Sequence, residues 1–67
     1  MKYFAIMDMV SYTPLCVLNA QHGKSALWKF RKRLMNTGMY EIYKDEAGDW
    51  MMSSTYGTYF KAVEVLY

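Results

Sequence analysis

A chain of 67 residues has room for one folding unit and no second core, so a single domain over residues 1–67 is expected, and its one cysteine, Cys16, excludes an internal disulfide brace. The net charge of +2 is too small to mark a nucleic-acid binder by itself, and no apolar run nears the roughly 18 residues of a membrane span. The first residues lack the charged start and cleavage site of a signal peptide, which makes a cytoplasmic protein the expectation.

Residues Lys2 to Val10 are dense in aromatic and aliphatic side chains with no helix breaker and read as a strand, followed by the turn-like Ser11-Tyr12-Thr13-Pro14. Leu15 to Leu18 would pair back as a second strand. Thr13 as a cap with Pro14 in the first helical position would equally start a short helix, and of the two the strand is preferred. From Ser25 to about Asn36 the spacing predicts a helix, with Ser25 as cap, cations in the last turns and Gly38 to terminate it. Leu27, Phe30 and Leu34 fall on one face and Lys29, Lys32 and Arg33 on the other. Trp28 and Met35 flank the apolar stripe, with Arg31 beside them.

After Gly38 the period changes to two. Tyr40 to Lys44 and Trp50 to Ser54 form a hairpin around the acidic Asp45 to Asp49, and a turn at Tyr56-Gly57 leads to a terminal strand from Tyr59 to Tyr67. The reading is an α+β fold of order β-(β)-α-β-β-β: an antiparallel sheet of four to five strands with one amphipathic helix packed on one face. Alternation places Phe4, Ile6, Val10, Tyr40, Ile42, Trp50, Met52, Val63 and Val65 under the helix. Tyr3, Ala5, Met7, Met9, Glu41, Tyr43, Met51, Ser53, Phe60 and Leu66 then fall on the opposite face. A slip of one residue exchanges the two sets for that strand.

Sites for chemistry are sparse. Cys16 with His22 is the only nucleophile and base of that kind, with no third group to orient them, so no catalytic residues are expected. One His and one Cys cannot supply the four ligands of structural zinc, and Asp45, Glu46 and Asp49 lack the spacing of a calcium loop, so no metal and no cofactor are expected. His22-Gly23-Lys24-Ser25 looks superficially like the end of a phosphate-binding loop. Leu18 stands where the small residue should be, and 67 residues cannot hold the nucleotide-binding core.

Composition is more informative. The chain is 54% hydrophobic with seven Tyr and seven Met, more apolar surface than one small core absorbs. One short helix covers one side of a sheet, and a Met/Tyr mixture on the other side suits an adaptable contact surface. The expected function is therefore a non-enzymatic regulator or inhibitor that docks a larger protein through that face or through a strand edge. Its contact residues would be Tyr3, Met7, Tyr43, Met51 and Phe60, with Trp28 and Arg31 secondary. Homodimerisation through the same face is the close competitor. Compact stand-alone chains of this kind often come from viruses or mobile elements that act on host machinery.

Charge supplies the alternative. Residues 1–33 carry +5 and residues 34–67 carry −3, and Lys29, Lys32 and Arg33 make the outer helix face basic enough to contact the phosphates of a nucleic acid. The acidic hairpin, and the stabilising effect of cations near any helix C-terminus, weigh against it.

Overall fold

The computed structural model describes residues 2–34 and 37–65. Its elements are β1 (Lys2–Asp8), β2 (Thr13–Ala20), α1 (Gly23–Arg31), a single 3-10 turn (Thr37–Met39), β3 (Tyr40–Lys44), β4 (Trp50–Ser54) and β5 (Tyr59–Val65). The strands make one antiparallel sheet in the order β2-β1-β5-β4-β3, so the expected α+β architecture is the observed one, with five strands.

In β1, alternation sends Phe4 and Ile6 to the helix side, and register places Leu18 and Cys16 of β2 beside them. The strand stops at Asp8, whose Oδ1 accepts hydrogen bonds from the backbone N–H groups of Val10 (2.9 Å) and Ser11 (3.4 Å) and so folds the chain into the turn. Met9, just past the strand end, still donates its N–H to the Tyr59 carbonyl at 2.8 Å, whereas Val10, expected beneath the helix, is exposed. Thr13 and Pro14 belong to β2 rather than to the turn. Between the pairs Ile6–Cys16 and Met7–Pro14 the register shifts by one, leaving Leu15 as the extra residue of a β-bulge. Proline is tolerated here because β2 is an edge strand and its missing N–H breaks no inner ladder.

The helix cap lies three residues earlier than the sequence predicts. His22 is the cap: the Ser25 backbone N–H donates to His22 Nδ1, and the His22 N–H donates to Ser25 Oγ, both at 3.3 Å. Ser25 thus serves as the third residue of a reciprocal capping box rather than as the cap itself. The α-helix also ends early, at Arg31, and the next turn tightens through Arg33 N–H to Phe30 O and Leu34 N–H to Arg31 O. Met35 and Asn36, the expected helix end, lie outside the described residues, and Gly38 sits within the 3-10 turn.

The core forms where α1 lies on the sheet: Ala26, Leu27 and Phe30 cover Phe4, Ile6, Leu18, Ala20, Met52, Phe60 and Ala62. Ile6, Leu27 and Met52 are its largest fully buried side chains. Phe60 packs its ring against Phe30 at 5.4 Å and against Tyr40 at 6.2 Å. This corrects the expected parity of β5. Pairing of Met52 with Phe60 and of Ile6 with Ala62 turns Phe60 inward and Val63 and Val65 outward. Helix approach is the physical reason: a Cβ on Gly23 would stand 3.5 Å from that of Ala62 and 3.2 Å from the Trp50 ring, so small residues are required at the contact. Leu66, placed with the outer set, lies outside the described residues.

Tyr12 closes the first turn with φ of +57°, a left-handed conformation that costs a non-glycine residue on the order of 1 kcal/mol. Its side chain is largely exposed, so little packing is lost on removing it. Tyr12→Gly is expected to stabilise the fold by up to about 1 kcal/mol, raising Tm by roughly 4–8 °C in thermal denaturation followed by circular dichroism.

Candidate functional site

With α1 on one side, the other side of the sheet carries no element among the described residues, and strand register arranges it in rows. Pro14, Met7, Lys61, Met51 and Tyr43 stand abreast across all five strands. Beside them run Val17, Ala5 and Val63, then Asn19, Tyr3 and Val65. Tyr59, Ser53 and Glu41 make a row on the far side of the first. Tyr3, Val17, Tyr59 and Val63 are each 40–47% exposed, a large fraction for apolar side chains on a sheet. Lys61, the one cation of the central row, lies 3.1 Å from Asp49, which neutralises it while its carbon stem lies between two methionines.

The structure therefore brings Tyr3, Met7, Tyr43 and Met51 together on one apolar face, as expected from alternation. Phe60 does not join them: it is a core residue. Trp28 and Arg31 lie on the far side of the molecule, on the helix flank that faces β3, where the Arg31 guanidinium sits 4.4 Å from the centre of the Trp28 ring. The same flank carries Lys24, whose ammonium lies 5.4 Å from the Trp50 ring centre, and Lys44 of β3 approaches that ring at 5.6 Å. A cleft of about 660 Å3 opens between this flank and the start of β3, lined by Lys24, Trp28, Arg31, Met39, Tyr40 and Ile42 among others.

The three cations of the nucleic-acid alternative are less uniform than their sequence suggests. Lys29 turns toward β2 and donates to the Asn19 carbonyl at 2.6 Å, whereas Lys32 and Arg33 project into solvent. Cys16 is partly buried against the core. The extended strand carries the chain about 13 Å from Cys16 to Ala20 before it reaches His22, and the His22 ring is engaged by its cap. Among the described residues no group of three His, Cys, Asp or Glu side chains is placed to hold a metal ion, and no helix is long and apolar enough to cross a membrane. Comparison with known proteins finds no matching family model, no similar curated protein and no similar solved structure.

Alternation alone misses Val17, Val63, Val65 and Tyr59 on the open face. For β5 both parities are apolar, so the pattern carries no preference; for Val17 the bulge at Leu15 resets the alternation begun at Thr13. On the helix flank, the spacing of Lys24, Trp28 and Arg31, at i, i+4 and i+7, is the signal that places them in line.

Core and surface positions of β5 are distinguishable by stability. Phe60→Ala is expected to cost about 3–5 kcal/mol, most of the stability of a domain this small, whereas Tyr59→Ala costs less than about 1 kcal/mol. Urea denaturation of the two variants measures the difference.

Proposed function

We propose that this chain is a non-enzymatic binding protein, a regulator or inhibitor that docks on a larger protein through its open sheet face. The observation that carries this reading is the unbroken row Met7, Lys61, Met51 and Tyr43, flanked by exposed Val17, Val63, Tyr3 and Tyr59. Methionine and tyrosine supply contact area that adapts to a partner's relief, and the paired Lys61 leaves the centre without net charge. Contact through such a face is governed by apolar burial and responds weakly to salt.

Size supports a larger partner over a second copy. Five strands of five to eight residues present a face of roughly 20 Å by 20 Å, on the order of 400 Å2. Two copies meeting on it would bury about 800 Å2 in total, short of the roughly 1,200 Å2 at which stable association begins. A larger protein can also reach the exposed rim at Tyr12 and Leu15 and so complete the contact.

The test is affinity capture from the native host, identification of the protein retained, and titration of that purified protein against variants verified as folded by NMR. Met51→Asp and Val63→Glu are expected to weaken binding by at least about tenfold, while Lys32→Glu and Arg33→Glu leave it unchanged. Unaltered binding by the two face variants would sink the reading. A steep fall in affinity with salt together with sensitivity at Lys32 and Arg33 would transfer the function to nucleic acid, and a concentration-dependent dimer lost in Met51→Asp would transfer the face to a second copy.

A further inference from the structure

The two edges of the sheet are unequally protected. On β2, Pro14 removes a donor, the bulge at Leu15 breaks the ladder, and the Lys29 ammonium occupies the Asn19 carbonyl. These are the devices by which edge strands are kept from pairing. On β3 none of them is present: Tyr40 to Lys44 pair with Ser54 to Trp50 in unbroken register, without proline or bulge. Beside this open edge lies the 660 Å3 cleft, lined by Lys24 and Arg31 together with Glu41, and Lys44 of β3 stands near it over the Trp50 ring. Aromatic rings hold all three in place, and none lies within ion-pairing distance of a carboxylate among the described residues. Apart from Glu41, which also lines the cleft, the charge beside this edge is positive.

From this juxtaposition we infer that β3 accepts an extended acidic peptide segment as a sixth strand. Backbone hydrogen bonds to the β3 edge supply register, and side chains of the added strand alternate between the two sides of the sheet. Those on the helix side meet Lys24, Arg31 and Lys44, with the exposed Trp28 ring as an apolar wall, so that side selects Asp or Glu at every second position. Those on the other side meet Glu41 and Tyr43, which select against acids there. A second copy is a poor occupant. Antiparallel β3–β3 pairing would bring two sets of the same three cations together. The site is separate from the open face and does not depend on it.

Both tryptophans of the chain, Trp28 and Trp50, border the site, so intrinsic fluorescence reports on it directly. The probe is a blocked six-residue peptide alternating glutamate and valine, titrated into the full chain at low salt, with three comparisons: the lysine–valine analogue, a version with each valine replaced by proline, and a ten-residue oligothymidylate. Saturable binding of the glutamate–valine peptide is expected, with affinity falling as salt rises and little or no binding of the lysine and proline peptides. In hydrogen exchange, the peptide should slow β3 amides and leave those of β2 unchanged. Lys24→Glu with Arg31→Glu should weaken binding by about tenfold, Glu41→Gln should leave it equal or tighter, and Val63→Glu, which disables the open face, should leave it unaltered. Equal binding of the proline peptide, tighter binding of the oligothymidylate, or no binding of the acidic peptide at millimolar concentration would each overturn the inference. The peptide comparisons use the unmodified chain and stand even where a charge-reversal variant fails to fold.

Discussion

The close seating of one short helix on the middle of the sheet fixes everything else in this molecule. Nine residues at about 1.5 Å each give α1 a length near 14 Å, against a sheet roughly 19 Å wide across its five strands. That helix can approach closely because Gly23 has no Cβ, which would stand 3.2 Å from the Trp50 ring and 3.5 Å from the Ala62 methyl, and with this approach go the burial of Leu27 and Phe30, the inward turn of Phe60 and the outward turn of Val63 and Val65. A bulkier side chain at either small position would lift the helix and open the core. The polar cost is low: among the described residues no polar or charged side chain is fully buried, so the interior is held by apolar burial.

A helix of that length leaves two surfaces unclaimed. One is the far side of the sheet, apolar and without net charge at its centre. The other is the margin between α1 and β3, where Lys24, Arg31 and Lys44 rest on indole rings instead of carboxylates. Cation–aromatic contacts fix a charge in space without cancelling it, whereas a salt bridge such as Lys61–Asp49 consumes it. The same residue types thus serve opposite ends on the two surfaces: lysine is neutralised where apolar contact is offered and left charged where an edge of backbone is exposed.

Much of this architecture was legible in the residues. The order of strands and helix follows from period-two runs interrupted by one stretch of helical spacing, and the placement of Tyr3, Met7, Tyr43 and Met51 on a common face follows from strict alternation within β1, β3 and β4. Where both parities are apolar, as in Phe60 to Val65, sequence has no means of choosing; the choice is made by Ala62 beneath the helix. The helix start was displaced because serine is the commoner cap, while here a histidine ring accepts the same hydrogen bond and the serine returns it. The cleft was illegible for a different reason. It joins a helix flank to a strand that follows in sequence but lies at the sheet's outer margin, and only strand order discloses that proximity.

The bulge at Leu15 and the proline before it have a consequence for valence. A sheet with two pairable margins can be joined at both, and repeated joining yields ribbons without end. With β2 protected by its proline and bulge, joining of sheet to sheet is confined to the β3 margin, so copies of this fold cannot run edge to edge into a ribbon without end.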